Sequence, residues 1–404
     1  MKIKVGVIFG GETVEHEVSI ISAIQAMNKM DEEKYEIIPI YITKDREWYT
    51  GAMLREIDVY QDLGLIKNYC DNVVLYYKNG NYVLQKKKGL LKRTVKEIDI
   101  AFPIVHGTNV EDGALQGYLQ TIGIPYVGPN VYAAVAGQDK TIMKDIWSEI
   151  GLPMTKYMWF YDSEYRKNKE EVLKRIHKLK FPLIVKPATT GSSVGIGVCE
   201  DENSLMDSID DAMQYDSKIL IEEVVQNLKE VNIAVLGNYE HQKVSVIEEV
   251  LSGNKFLTYA DKYIGSGKTK GMKKGPIKGT SKGMASANRK IPADIKKDMQ
   301  EEIEDIAKKA FKALGSSGNS RIDFLIDDKA KKVYINEINS IPGSLAFYLW
   351  DAKDMDFTQV LDDMINIGIK DYKRRISKTH SFETNILQGF AANGVKGIKG
   401  TKKF

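Results

Sequence analysis

Length and composition exclude disorder as the general state of this chain, because 404 residues with 43% hydrophobic side chains can fill several cores. The net charge of +3, from 58 basic and 55 acidic residues, is nearly balanced and gives no case for a nucleic-acid or membrane partner. Only Cys70 and Cys199 are present, and the start lacks the pattern of a signal peptide, so we expect a cytoplasmic protein without a disulfide framework.

The first part of the chain is predicted to form an open parallel α/β sheet. It opens with a βαβ pattern, and two of its apolar strands end in glycine turns, at Gly10-Gly11 and at His106-Gly107. Parallel sheets bind ligands at the carboxyl ends of their strands, so both turns are expected at a binding rim. The predicted elements are strands at 2–9, 35–42, 98–105 and 125–127 and helices at 19–30 and 114–122.

Two α+β regions are predicted to follow, with a boundary near Gly151-Leu152-Pro153, where a helix stops. The expected division is 1–135, 136–225 and 226–372, with a basic tail at 373–404 that lacks helical periodicity and is expected to be flexible. The predicted helices are 131–150, 163–180 and 293–314, and the predicted strands are 181–186, 197–199, 219–223, 230–236, 244–250, 321–326 and 332–337.

A glycine-rich turn at 189–197 follows a strand that ends with Lys186. Such a turn offers small side chains and backbone N–H groups that fold over phosphate oxygens, and the lysine supplies a positive charge for them. An ordinary hairpin turn is the alternative, and a lone glycine-rich loop does not exclude it. Acidic side chains further along the chain favour the phosphate-binding interpretation.

Two later strands carry acidic and amide side chains at alternating positions. Glu337 and Asn339 are two residues apart and therefore face the same side, and Asp323 on the neighbouring strand can join them. Three oxygen donors of this kind suit Mg²⁺, which takes its other ligands from water and nucleotide phosphates. The alternative is a solvated polar face, but the apolar flanks of both strands would leave unpaired carboxylates buried, which is costly. The pattern favours a metal site.

A lysine- and glycine-rich stretch at about 256–290 has no acidic residue from Lys262 to Ala293. It contains Gly267-Lys268-Thr269, but Lys262 stands where a Walker A loop requires its first glycine. We interpret the stretch as a mobile cationic lid that closes over triphosphate, with a disordered surface insertion as the alternative. It lacks the interleaved aromatic residues expected of a nucleic-acid binder.

Several long motifs, in order, resemble those of the ATP-grasp enzymes and, within them, the D-alanine–D-alanine ligases. The resemblance spans about residues 2–369 and implies an α/β ATP-grasp fold, in which an N-terminal open parallel α/β subdomain precedes two α+β subdomains that sandwich ATP. It implies ATP-dependent ligation of D-alanine to D-alanine, or to a related second D-amino acid, through an acyl phosphate for peptidoglycan precursor synthesis. The motifs are GGETVEHEVSIISA from Gly10, HGTNVEDGALQGYLQTIGIPYVG from His106, DKTIMK from Asp139, KPATTGSSVGI from Lys186, RIDF from Arg321 and NEINSIPG from Asn336.

The same resemblance implies the cofactors and partners. These are ATP, two Mg²⁺ ions with Mn²⁺ as a substitute, and small amino acids as substrates; a homodimer is compatible with it. The implied nucleotide contacts are Lys140, Lys186 and Lys262 for the phosphates, Glu222 and Glu230 for adenine and ribose, and Ser193 and Glu223 beside them. The implied metal ligands are Asp323, Glu337 and Asn339.

Substrate and catalytic roles are implied as well. Glu15 would hold the ammonium of the first amino acid, and Ser192 would hydrogen-bond Glu15 and help place the lid through Tyr263. Arg321 and the backbone N–H of Gly343 would form the oxyanion site. The further substrate candidates are His106, Ser344 and Tyr348, with binding and packing both open for His106, whereas His16 is interpreted as structural or orienting.

The chain departs from the family pattern after Pro342-Gly343. Tyr348 stands where the family usually has a small hydroxyl residue that holds the carboxylate of the second amino acid. Either the phenol takes over that contact, or the bulky Phe347, Tyr348 and Trp350 reshape the pocket for another amine. The alternatives left open are an ATP-grasp ligase with a different acceptor, such as an L-amino acid dipeptide ligase, and a nucleotide-binding paralogue without turnover.

Overall fold

The computed structural model of the protein describes residues 2–87, 89, 93–192, 194–251 and 289–382. The chain forms two compact units, residues 1–369 and residues 370–404. The predicted lid at 256–290 lies outside the described residues apart from Arg289 and Lys290, and the predicted tail lies outside them beyond Phe382. No described helix combines the length and the apolar character that crossing a bilayer requires.

The elements follow the chain in this order. The strands are β1 Ile3–Gly10, β2 Tyr35–Ile42, β3 Trp48–Thr50, β4 Asp71–Lys78, β5 Asn81–Lys86, β6 Thr94–Ile98, β7 Ile100–Pro103, β8 Tyr157–Tyr161, β9 Leu183–Pro187, β10 Gly197–Cys199, β11 Lys218–Glu223, β12 Leu228–Gly237, β13 Gln242–Val250, β14 Arg289–Lys290, β15 Gly318–Asp327 and β16 Lys332–Asn339. The helices are α1 His16–Met27, α2 Leu63–Tyr69, α3 Ala114–Ile122, α4 Val131–Gln138, α5 Lys140–Glu149, α6 Asp162–Lys167, α7 Lys169–Ile176, α8 Glu202–Ala212, α9 Lys297–Ala313, α10 Phe347–Asp351 and α11 Phe357–Ile376, with short 3₁₀ turns at Ala52–Arg55, Ile57–Gln61 and Gly343–Ala346.

The first sheet is mixed rather than parallel throughout, with the order β6-β5-β4-β3-β2-β1-β7. β1 pairs in parallel with β2 and β7, as predicted. The additional strands β3 to β6 extend the sheet in antiparallel pairs. The physical reason is a tight turn: Asn79 and Gly80 both have positive φ between β4 and β5, and strands joined by two such residues can pair only antiparallel. The predicted strand at 125–127 forms a single bridge, from Tyr126 to Ala101.

Two long predicted helices are each broken into two. The predicted helix at 131–150 stops at Asp139, whose backbone is extended and whose side chain accepts hydrogen bonds from the backbone N–H groups of Thr141 and Ile142. Asp139 thereby caps α5 and lets the Lys140 N–H donate to the Ala188 carbonyl at 3.0 Å, next to the glycine-rich turn. The predicted helix at 163–180 breaks in the same way at Asn168, which caps α7.

The second and third sheets are both antiparallel. The second has the order β10-β9-β11-β8 and packs against α6, α7 and α8, with Phe160, Leu183 and Leu205 in its core. The third has the order β14-β13-β12-β15-β16 and covers α5 and α9. Trp147 of α5 is fully buried and donates its indole N–H to the carbonyl of Ala310 on α9 at 3.3 Å.

The two faces of the third sheet differ in polarity because side chains alternate along each strand. One face carries Val231, Ile233 and Ile322 into the core with α9. The opposite face carries a row of polar side chains that are cross-strand partners on neighbouring strands. In order these are Glu248 on β13, Asn232 on β12, Asp323 on β15 and Glu337 on β16. This row forms one wall of the candidate site.

Candidate functional site

A cavity of about 290 Å³ lies between the turns of the first sheet, the glycine-rich turn of the second and the polar face of the third. The structure brings most of the sequence-predicted site residues to its wall. These are Glu15, His106, Lys140, Lys186, Ser192, Glu222, Glu223, Glu230, Arg321, Asp323, Glu337, Asn339 and Gly343. Three predicted residues, Ser193, Lys262 and Tyr263, lie outside the described part of the chain.

Glu15 lies where the first glycine turn meets the glycine-rich turn of the second sheet. The Ser192 hydroxyl donates to the Glu15 carboxylate, which is the contact that the resemblance implied. A side chain at Gly191 would place its Cβ only 2.6 Å from a Glu15 carboxylate oxygen, and one at Gly107 would meet the Thr13 hydroxyl oxygen at 2.3 Å. Glycine at both positions is therefore what lets the two turns close on this carboxylate.

The two predicted phosphate-binding lysines lie at element ends around the glycine-rich turn. Lys140, at the start of α5, donates to the Thr190 carbonyl at 2.9 Å. Lys186, near the end of β9, is almost buried, with a 9% exposed side chain, and donates to the Glu222 carboxylate at 2.7 Å. Both lie where a phosphate group in the cavity would meet two positive charges.

Lys186 belongs to a buried cluster of charged side chains centred on Glu222. Both carboxylate oxygens of Glu222 are engaged, one by Lys186 and the other by Lys144 at 2.8 Å and the Thr155 hydroxyl at 2.8 Å. Although burial opposes ionisation, the two lysines hold the pKa of Glu222 well below its usual range. Burial also lowers the pKa of Lys144, whereas the pKa of Lys186 is raised, because Glu337 and Glu230 add to the attraction of Glu222.

Glu222 was predicted beside adenine and ribose, and that role stays a prediction. Its oxygens are committed to the lysines, so in this structure the carboxylate acts on Lys186. Sequence reasoning missed Lys144, although it lies four residues after Lys140 on the same helix within the DKTIMK motif. The spacing was a usable signal that two cations of α5 project in similar directions.

The predicted metal ligands lie together on neighbouring strands. Asp323 is the cross-strand partner of Glu337, and the Asn339 amide donates to an Asp323 oxygen at 3.2 Å. This donor set fits Mg²⁺ together with other ligands, since two carboxylates and one amide leave about half of an octahedral shell to water and phosphate oxygens. Accordingly, the described residues contain no group of three or more His, Cys, Asp or Glu that would hold a metal by itself.

Arg321 is fixed next to these acids. Its Nε and Nη2 donate to the two oxygens of Asp323 at 2.7 and 2.8 Å, a bidentate pair. The guanidinium is nearly buried, and although burial opposes its charge, Asp323 holds the pKa of Arg321 well above its ordinary value. A permanent cation thus faces the same cavity as Gly343.

Two of the predicted substrate residues are absent from the described lining of the cavity. Ser344 is buried, and its backbone N–H donates to the Ser22 hydroxyl at 2.8 Å. The Tyr348 hydroxyl donates to Glu248 at 3.1 Å, and burial raises the pKa of Tyr348 to about 12. Neither side chain presents its hydroxyl to the cavity as the family's small hydroxyl residue would, so a direct substrate contact for them has no support in the structure.

His16 and His106 are both buried. His16 contacts the Gly11 carbonyl through Nδ1 at 2.6 Å and the Tyr41 hydroxyl through Nε2 at 2.9 Å, which agrees with an orienting role for the first glycine turn. His106 contacts the Ser22 hydroxyl through Nε2 at 3.2 Å and also lines the cavity. Burial lowers the pKa of both imidazoles, which favours their neutral forms.

Glu111 is a further buried acid that sequence reasoning missed, although it belongs to the motif that starts at His106. Its carboxylate accepts hydrogen bonds from the Gly107 N–H at 2.9 Å, the Ser340 hydroxyl at 2.9 Å and the Ile341 N–H at 3.0 Å. It therefore ties the turn after β7 to the loop after β16. Burial, opposed by these hydrogen bonds and aided by the charge of Glu15, raises the pKa of Glu111 to about 7.

This pKa predicts a pH dependence of stability. The folded protein binds the Glu111 proton more tightly than the unfolded chain, whose pKa is near 4.5, so this contribution is fully present below about pH 4.5 and is lost as pH rises to about 7. Relative to Glu111→Gln, which never ionises, wild type should lose of the order of 3 kcal/mol of unfolding free energy across that window. Denaturant titrations at a series of pH values measure the difference; a constant difference would contradict the assignment.

Two family models match this chain over most of its length. The family model for the D-ala D-ala ligase N-terminus matches residues 4–129, and the model for the D-ala D-ala ligase C-terminus matches residues 146–286 and 277–366. The D-alanine–D-alanine ligase of Thermosipho melanesiensis is 38% identical over 388 residues, which cover 96% of this chain and 98% of that protein.

Solved structures show the same similarity. The D-alanine-D-alanine ligase from Coxiella burnetii has a TM-score of 0.77 and 26% sequence identity, covering 93% of this chain and 96% of that one. The VanG D-Ala:D-Ser ligase from Enterococcus faecalis has a TM-score of 0.74 and 28% identity, covering 91% of this chain and 100% of that one. The chain is thus similar to these enzymes in sequence and in fold over nearly all of its length.

Proposed function

The chain belongs to the D-alanine–D-alanine ligase family, and from that premise we propose that it joins D-alanine to D-alanine with ATP to supply a peptidoglycan precursor. The single observation that carries the proposal is the convergence, in one cavity, of a carboxylate for an ammonium, two lysines for phosphates and an arginine for an oxyanion. A nucleotide-binding module without turnover has no need of the last of these.

The chemistry starts with a poor electrophile. A carboxylate oxygen of the first D-alanine attacks the γ-phosphorus of ATP, the bond to the bridging oxygen breaks, and ADP leaves with that oxygen. The amine of the second D-alanine then attacks the acyl carbon, loses a proton, and expels inorganic phosphate. Both steps depend on positioning and on neutralising charge, which are the properties that the cavity offers.

Each step has residues suited to it. Glu15, held by Ser192, would orient the first substrate through its ammonium. Lys140 and Lys186 would spread the negative charge of the phosphates. Arg321 and the backbone N–H of Gly343 would stabilise the tetrahedral oxyanion, each by about 3 kcal/mol, the scale of one oxyanion-hole donor.

Asp323, Glu337 and Asn339 would hold Mg²⁺, which supplies charge neutralisation at the phosphate oxygens. The support is their shared face and the 3.2 Å contact between Asn339 and Asp323. Arg321 orients the Asp323 carboxylate through its two hydrogen bonds. Cytoplasmic location, a homodimer and the predicted subdomain boundaries near 135 and 225 remain parts of the proposal that rest on the family resemblance.

The proposed function is tested by its substrate dependence. We expect ADP release to require D-alanine and Mg²⁺, and the product to have the mass of the dipeptide. A panel of D- and L-amino acids, assayed for ADP with product identification by mass spectrometry, measures this. Turnover with L-amino acids alone would contradict the proposal and favour an L-amino acid ligase.

A different second D-amino acid is the candidate alternative. The observation behind it is Tyr348, whose hydroxyl is turned to Glu248 instead of the cavity. A relative with comparable fold similarity is a D-Ala:D-Ser ligase by name. The same panel separates the two, since a mixed product formed in preference to D-alanyl-D-alanine would identify the other acceptor.

A further inference from the structure

A second buried charge cluster lies at the β13 end of the polar row, and the proposed mechanism does not use it. Glu248 is fully buried, with 0% exposure. Its carboxylate accepts hydrogen bonds from Arg289 Nη1 at 2.9 Å, from the Asn232 amide at 3.0 Å and from the Tyr348 hydroxyl at 3.1 Å. A carboxylate that accepts three hydrogen bonds is held in one position, and it holds the guanidinium of Arg289 in turn.

Arg289 is held by the ion pair with Glu248 and by the ring of Tyr348. Its guanidinium carbon lies 4.5 Å from the centroid of the Tyr348 ring, and its side chain is only 12% exposed. Arg289 nevertheless lines the cavity, and its Nε is buried without a hydrogen-bond partner among the described residues. Glu248 accepts from Nη1, so Nε is a guanidinium donor left for an anionic group such as a carboxylate.

The cluster lies on the same wall as the reacting groups. Glu248 pairs across the sheet with Asn232, which pairs with Asp323, so two strand spacings of about 4.8 Å separate Glu248 from the predicted metal ligand. Tyr348 is five residues after Gly343, whose N–H is the predicted oxyanion donor. An amino acid that attacks a carbonyl near Arg321 and Gly343 would bring its own carboxylate toward this end of the row.

We propose that Arg289 binds the carboxylate of the second amino acid, and that Glu248 and Tyr348 are positioning residues that hold its guanidinium. The inference rests on the proposed function and names the subsite that the departure at Tyr348 leaves open. Tyr348, in place of the small hydroxyl residue, donates its hydroxyl to Glu248 and packs its ring against Arg289. The substrate carboxylate would therefore be bound by a guanidinium instead of a hydroxyl. The acceptor class is therefore an α-amino acid with a free carboxylate, and not an amine or an amide.

Competition between two acceptors tests this assignment. Equal concentrations of D-alanine and D-alaninamide are supplied with ATP and Mg²⁺, and the ratio of dipeptide to dipeptide amide is read by mass spectrometry. Wild type should favour the acid by about 30-fold or more, since the amide removes one partner of a charge-assisted pair. In Arg289→Gln the ratio should fall to within about 3-fold, with a raised KM for the acceptor and an unchanged KM for ATP.

Two further variants keep the test decisive. Lys290→Gln removes a positive charge from the next residue, whose half-exposed side chain pairs with Asp294, and should keep the wild-type ratio. If Arg289→Gln fails to fold because Glu248 is left unpaired, Arg289→Gln with Glu248→Gln removes both charges and should show the same collapsed ratio. A wild-type ratio in a folded Arg289 variant overturns the inference, whereas the absence of both products from wild type would count against the proposed function itself.

Discussion

Replacing Glu337 by glutamine is expected to lower kcat/KM for dipeptide formation by about 1,000-fold, with little change in stability. Glu337 faces the cavity as the cross-strand partner of Asp323, and an amide of the same volume is a neutral and weaker ligand for a divalent cation. Because the side-chain shape is kept, β16 should form as before. ADP release with saturating D-alanine, measured over a range of Mg²⁺ concentrations, gives the effect.

The hairpin formed by β15 and β16 also contains a residue that serves as a matched control for this variant. Asp328 lies in the exposed turn between β15 and β16 and pairs with Lys331 at 2.9 Å, so Asp328→Asn makes the same charge change on the same hairpin away from the cavity. It should leave turnover within about 2-fold of wild type, as expected for an exposed ion pair. Full activity in Glu337→Gln would remove this residue from the site, and chelation of Mg²⁺ should stop ADP release in wild type and control alike.

Glu222→Gln should have the largest effect on stability, a loss of about 3–5 kcal/mol of unfolding free energy. The carboxylate lies between two lysines whose side chains are 1% and 9% exposed, and without its charge Lys144 and Lys186 repel each other in a buried space. Turnover should fall as well, because Lys186 loses the partner that orients it. Chemical denaturation measures the first effect and ADP release the second.

Two comparisons identify the cause of that loss. Glu222→Gln combined with Lys144→Met removes one of the stranded cations and should recover part of the stability, whereas Glu170→Gln, on the exposed face of α7, should change it little. The lowered pKa of Glu222 means that its contribution is present above the ordinary carboxyl pKa of 4.5 and is lost as pH falls below that value. Equal stability losses in the single and double variants would show that charge repulsion is not the cause.

These two glutamates show how unequally the sequence reveals function. Glu337 could be predicted, because strand periodicity alone puts it on one face with Asn339, and a carboxylate on an otherwise apolar strand needs a reason. Glu222 could be identified only through the resemblance, and its implied role at adenine and ribose says nothing of the two lysines that it contacts here. Those contacts come from Lys144 on α5 and Lys186 on β9, and no local pattern records which elements will be neighbours.

The same contrast holds for the acceptor end of the cavity. The departure at Tyr348 was visible in the sequence, but Arg289 follows a lysine-rich stretch in which one more cation carries no signal. Only the pairing of β13 with β14 brings Arg289 next to Glu248 and under the ring of Tyr348. Tyr348 contacts Arg289, which lies 59 residues earlier in the chain, and the two residues come together only in the folded protein.

The sequence by itself determined the features that depend on one element at a time: the apolar periods of strands and helices, the glycine turns after β1 and β7, and the shared face of Glu337 and Asn339. The tertiary structure decided which strands pair antiparallel, where Asp139 breaks a helix, and which lysines surround Glu222. The physical reason is that side-chain direction within an element follows from local backbone geometry, whereas contacts between elements follow from the burial of apolar surface and the pairing of buried charge over the whole chain.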